Sequence, residues 1–193
     1  ALTALLVSSR YAWQAQSNHC CVAADHPTSV EGMTGLAIDP LTGVASADHF
    51  LGVLANVCHA ADPLRAPVSL ALVNVDHFTA FNARYDSATG DCELVRIARL
   101  IAGTGRHDDL VARLCEDRFA WLMPNTEALV AAELVEALRA AVQLNVPPEF
   151  ELTVSIGFVT GWDNLSADQL VEAARTALQE AKGNGRNLVA MYR

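Results

Sequence analysis

Four short stretches carry residues that could do chemistry. Cys115-Glu116-Asp117-Arg118 lies between two apolar runs, at a hairpin tip where carboxylates and a guanidinium meet solvent. Arg106-His107-Asp108-Asp109 contains R-x-x-D just before that hairpin. An arginine can fork onto an anion, although such a tetrad taken alone is more often a solvated loop pair. Lys182 sits near a helix end with Gly183 and Gly185 beyond it, and it is the single lysine among 13 basic residues. A cation there complements the helix dipole. Last, His19-Cys20-Cys21 with His26 offers metal-ligating groups, but zinc-site spacing is absent, and small thiols near a helix end describe it better.

The charge balance narrows these options. The chain of 193 residues carries 22 acidic and 13 basic side chains, a formal net charge of −9. That field repels nucleic-acid backbones and anionic lipid, so neither is an expected partner, and only a local cluster of cations can hold an anion. At 52% apolar and 18% charged residues, one sizeable core is expected and disorder is not. No apolar run approaches the roughly 20 residues that span a bilayer. The first one, Leu5-Leu6-Val7, breaks at Ser8-Ser9-Arg10. Five cysteines, an odd number without C-x-x-C, argue against a disulfide scaffold and for a reducing compartment. The expected location is the cytoplasm, either free or as the cytoplasmic part of a larger protein anchored upstream.

The elements that must position these residues follow from periodicity. Residues 1–38 read as a helix and linker from an upstream element, with Leu2, Leu5, Leu6 and Trp13 on one face and Pro27 limiting it. Residues 39–193 read as one domain. Ser46 caps a helix through Phe50, Leu51, Leu54 and Val57. The nearly continuous apolar run 67–75 predicts a central strand buried on both faces. Leu94, Ile97, Ala98 and Ile101 share a helical face. Leu110–Leu114 and Phe119–Met123 form a hairpin with a four-residue tip. Thr126 caps the next helix, Phe150–Thr160 is a strand, Ser166-x-x-Gln169 is a capping box, and Leu188–Tyr192 is a last strand. The fold class is therefore α/β, an α+β sandwich with a central, mostly antiparallel sheet flanked by helices.

Four collinear stretches resemble the GGDEF family, the diguanylate cyclases. Asp39-Pro40-Leu41-Thr42-Gly43, followed by Phe50, is similar to the opening D-x-L-T-G…F. Val75-Asp76-His77-Phe78, Asn82, Tyr85 and Gly90-Asp91 resemble D-x-D-x-F-K-x-x-N-D-x-x-G-H-x-x-G-D. Arg113 to Ala120 occupies the place of the signature hairpin R-x-G-G-[DE]-E-F. Thr153-Val154-Ser155-Ile156-Gly157 and Ala181-Lys182-Gly183-Asn184-Gly185-Arg186-Asn187 are similar to V-S-I-G and A-K-x-x-G-R-N.

The resemblance implies a nucleotide-cyclase-like fold and a reaction in which one GTP 3′-hydroxyl attacks the α-phosphate of another. Such chemistry depends on positioning and on metal-held charge. It also implies roles. Asn82 and Asp91 would read guanine, or else cap helices; Lys182 and Arg186 would hold phosphate. Arg106 and Asp109 would bind cyclic di-GMP at an inhibitory-type site. Asp117, with the Val75 carbonyl, would ligate Mg²⁺.

The departures fall on turnover. Asn74 replaces the first metal carboxylate, so Mg²⁺ binding is expected to be weakened. Cys115 and Glu116 replace the two glycines whose backbone approaches phosphate, and Arg118 replaces the catalytic acid. Thr79 stands for lysine, Asp86-Ser87 for Gly-His, and Ser46-Ala47 for Asn-Arg. The expectation is an inactive regulatory module sensing cyclic di-GMP or GTP, working as a homodimer or through a neighbouring domain. The alternatives are an active diguanylate cyclase and a ligand-free interaction domain.

Overall fold

The computed structural model describes residues 37–59, 67–147, 150–161 and 166–193. The expected helix and linker at 1–38, with His19, Cys20, Cys21 and His26, lie outside the described residues except for Ala37 and Ile38.

Six strands form one mixed sheet: β1 (Ala45–Ser46), β2 (Val68–Val75), β3 (Leu110–Cys115), β4 (Arg118–Met123), β5 (Val154–Gly161) and β6 (Val189–Met191). Their spatial order is β1-β3-β4-β2-β5-β6. The three inner pairings are antiparallel, and the two outer ones, β1 with β3 and β5 with β6, are parallel. Five helices lie among the described residues: α1 (Ala47–His59), α2 (Phe78–Tyr85), α3 (Ser87–Thr104), α4 (Ala128–Asn145) and α5 (Ala167–Gly183).

Strand β2 reads as a continuous apolar run because both its faces are covered. Ala71, Val73 and Val75 pack with α2, α3 and α4 residues such as Phe78, Ile97 and Leu138. Leu70 and Leu72 face the opposite core with Phe50 and Leu54 of α1 and Leu178 of α5. The same alternation divides β4, with Phe119, Trp121 and Met123 on the first face and Ala120 and Leu122 on the second. Helix α5 approaches β5 so closely that a Cβ on Gly157 would lie 2.0 Å from the Leu178 backbone nitrogen. Backbone cannot step aside, so glycine is required there.

Several boundaries differ from the sequence reading. The hairpin tip is two residues, Glu116 and Asp117, because Cys115 and Arg118 still pair across the ladder, after an irregularity between Arg113 and Cys115. Thr126 does not cap α4; Glu127 holds that position, and the Thr126 hydroxyl donates to the Pro124 carbonyl. Strand β5 begins at Val154, later than the predicted Phe150, whose ring packs edge-on against Phe81 and Tyr85 instead. The last strand keeps only Val189–Met191. The expected Ser46 cap and the Ser166–Gln169 capping box are both present.

Candidate functional site

The C-terminal end of β2, the hairpin tip and the end of α5 meet at one side of the sheet. Register places Asn74 between Arg118 of β4 and Ser155 of β5. Asn74 is only 4% exposed, and its Nδ2 donates to Asp117 Oδ2 at 2.6 Å and more loosely to the Asp117 carbonyl at 3.3 Å. Both facing atoms are acceptors, which fixes the amide's NH₂ end toward Asp117. The Val75 backbone nitrogen donates to the same carbonyl at 3.0 Å. The tip is thus tied to β2 from two successive residues.

Arg113 ties it from the other side. Its guanidinium donates to the Glu116 carbonyl at 2.8 Å and reaches Asp39 Oδ1 at 3.3 Å. Burial works to raise the Asp39 pKa, but the Thr42 hydroxyl and amide, together with Arg113, hold it below the usual carboxylate value. Glu116 is exposed, and Cys115 is half-buried.

Asp76 was not singled out from sequence, yet it organises the site. It is 2% exposed and accepts from the Ser155 hydroxyl at 2.7 Å, the Thr153 hydroxyl at 2.8 Å and the Asn187 backbone nitrogen at 3.1 Å. The last contact fastens the turn after α5 to the end of β2. A signal existed: Thr153 and Ser155 alternate as polar residues beside apolar Val154 and Ile156, and buried hydroxyls need partners. The turn places Arg186 and Asn187 at positive φ, 63° and 47°, and leaves Arg186 exposed. Lys182 is half-buried one turn earlier. Burial and then the Arg118 charge push its ammonium below the usual lysine value, Asp117 and Asp76 pull the other way, and Arg186 adds to the depression.

A second group forms where α2 meets α3. Asp86 joins the helices at φ 113°, a conformation ordinarily left to glycine, and its carboxylate accepts from Thr89 N at 2.7 Å. The α3 cap is therefore Asp86. Asp91, offered above as a possible cap, lies exposed in the second turn. Asn82 likewise lies within α2. Its Oδ1 is buried without a hydrogen-bond partner, and a Cβ on the adjoining Gly90 would fall 1.9 Å from it.

Arg106 and Asp109 stand at the other end of β3, roughly 20 Å of strand from the tip. Asp109 Oδ2 accepts from the Arg106 backbone nitrogen and the Trp121 indole, each at 2.9 Å, so this carboxylate braces the turn that presents the exposed Arg106.

The residues at the tip do not fit Mg²⁺. An amide NH₂ points at the one remaining carboxylate, and Arg118 and Lys182 stand beside it. Mg²⁺ is ordinarily held by one or two free carboxylates together with phosphate oxygens and waters, and here Asp117 already accepts from the Asn74 amide.

The family model for the diguanylate cyclase GGDEF domain matches residues 36–188. The chain belongs to the GGDEF family. This GGDEF domain is 29% identical over 160 residues to the probable diguanylate cyclase DgcT of Escherichia coli K12, covering 79% of this chain and 35% of the relative. With diguanylate cyclase DgcM of the same organism it shares 37% over 124 residues, covering 63% and 30%. The domain spans about a third of the length of these curated relatives. Among solved structures, the GGDEF domain of Caulobacter crescentus DgcB in complex with c-di-GMP superposes with a TM-score of 0.78 at 28% identity, covering 82% of this chain and 96% of that one. Pseudomonas aeruginosa diguanylate cyclase SiaD, in complex with its activator SiaC, gives 0.75 at 27%, covering 81% and 62%. No described helix is long and apolar enough to cross a membrane.

Proposed function

We propose that this GGDEF domain has lost turnover and serves cyclic di-GMP signalling as a regulatory module that holds a guanine nucleotide. The observation that carries the reading is the 2.6 Å bond from the Asn74 amide to Asp117, with Arg118 in the catalytic acid's place. A permanently charged guanidinium cannot take a proton from a 3′-hydroxyl, and a single engaged carboxylate holds Mg²⁺ poorly.

Guanine reading rests on Asn82 and Asp91. The buried Oδ1 of Asn82 lacks a donor, and guanine N1–H and N2–H₂ supply the kind it needs, whereas adenine's N1 is an acceptor. GTP at this position is the favoured ligand. Cyclic di-GMP on Arg106 and Asp109 is a second reading, favoured by the braced turn that holds Arg106 out to solvent.

Calorimetric titration with GTP, ATP and cyclic di-GMP tests binding, and chromatography of a long incubation with GTP and Mg²⁺ tests turnover. Binding of a guanine nucleotide with product at the blank level is the expected result. Multiple turnover revives the active-cyclase reading. Absence of all binding leaves a ligand-free interaction domain.

A further inference from the structure

The carboxylates around the hairpin tip are already engaged. Asp117 accepts from Asn74, and Asp76 accepts from two hydroxyls and a backbone amide. Two of the three neighbouring cations are not engaged in that way. Arg118 starts β4 beside Asn74, Lys182 ends α5, and Arg186 follows on the turn that Asp76 fastens. Among the described residues the side chains of Lys182 and Arg186 have no hydrogen-bond or ion-pair partner. Burial lowers the Lys182 pKa first, and the Arg118 charge and then that of Arg186 add to the depression against the pull of Asp117 and Asp76.

With Glu116 counted, three cations here face three carboxylates. With carboxylates at positions 74 and 118, two cations would face five, and a dication would be needed before a polyphosphate could approach. The residues at 74 and 118 remove that negative excess.

We propose that this site takes a metal-free polyphosphate, the triphosphate of GTP, directly on Arg118, Lys182 and Arg186, so that Mg²⁺ opposes binding. The inference rests on the reading that GTP binds here. A guanidinium meeting phosphate makes forked, charge-assisted bonds and supplies locally the positive charge a metal ion otherwise brings. An Mg²⁺-bound triphosphate carries less negative charge and sets a dication against three cations, which costs Coulomb energy in a half-buried site.

The test is titration of the intact domain with GTP, and separately with inorganic tripolyphosphate, in resin-treated metal-free buffer and again with excess Mg²⁺ at matched ionic strength. GTP should bind in metal-free buffer and weaken about threefold or more with Mg²⁺. Arg118→Ala, checked for folding by its unfolding transition, should lose roughly tenfold in metal-free buffer. Arg186→Gln, on the exposed turn, should lose affinity in the same direction and guards against misfolding at position 118. Stronger GTP binding with Mg²⁺ overturns the proposal and leaves the nucleotide-module reading intact. Wild-type affinity in both variants also overturns it. Failure of GTP and tripolyphosphate to bind under either condition overturns the proposal and the GTP reading together.

Discussion

Asn74 and Asp117 face each other across 2.6 Å, amide to carboxylate. These two positions are where the family resemblance puts metal-binding carboxylates, and here one side chain satisfies the other. Asn74→Asp should set two carboxylates against each other and remove a buried hydrogen bond. A loss of about 1–3 kcal/mol is expected without metal, roughly 2–10 °C in Tm. Mg²⁺ should raise the Tm of that variant and leave the wild type unmoved. Equal Tm responses to Mg²⁺ in both proteins would show that the Asn74 contact is not what excludes the metal.

Gly90 and Asn82 give a prediction in which stability and recognition separate. An added Cβ would fall 1.9 Å from Asn82 Oδ1, the end of a flexible side chain, and 3.1 Å from the buried Phe78 ring, so Gly90→Ala should cost a modest amount of stability, about 1–2 kcal/mol. The displaced amide should no longer read guanine, and any preference for GTP over ATP should fall toward unity. A preserved preference would assign recognition elsewhere.

Lys182 should show the reverse balance. Its folded-state pKa lies below 10.5, so the folded protein disfavours the charged lysine. The sign is that of a base with a depressed pKa. The penalty is fully present below the folded value and disappears as pH rises from there toward the unfolded value, where stability climbs. Lys182→Gln should therefore raise the Tm of the ligand-free domain at neutral pH, with the gap narrowing at alkaline pH, while it weakens GTP binding. A variant less stable than wild type at neutral pH would count against this account of Lys182.

Arg106 separates the second ligand from the first. Arg106→Ala should reduce cyclic di-GMP affinity by roughly tenfold or more, since a charge-assisted contact is worth about 1.5–3 kcal/mol. Arg118→Ala, at the start of β4 beyond the hairpin tip, should change it little, although both variants lose one positive charge. Indistinguishable binding by the wild type and both variants would reduce the tetrad to a solvated turn.

Much of this architecture was legible because apolar periodicity is local. The two-faced burial of β2 shows in its unbroken run, and the α5 capping box in Ser166 and Gln169. The site was less so, because its decisive contacts join residues far apart in the chain. Asn74 announces a missing carboxylate, but only the folded register shows its amide against Asp117, 43 positions away. Asp76 gave no sign in isolation, since its partners come from β5, its approach and the turn after α5. The cap at Thr126 was misread, and the capping alternative for Asp91 fails, for a related reason. Short polar residues near a helix start compete for one position, and the backbone path decides among them.

The Asn74–Asp117 bond also bears on how such a domain can change. Asparagine and aspartate differ by an NH₂ in place of an oxygen, so the step back toward a metal ligand is chemically minimal. Taken alone, it passes through a protein with two opposed carboxylates and with Glu116 and Arg118 still at the tip, less stable and no closer to catalysis. Selection acting one substitution at a time meets that valley from either side. Under the function proposed above, the hydrogen bond is thus a barrier to regaining the metal site by any single substitution.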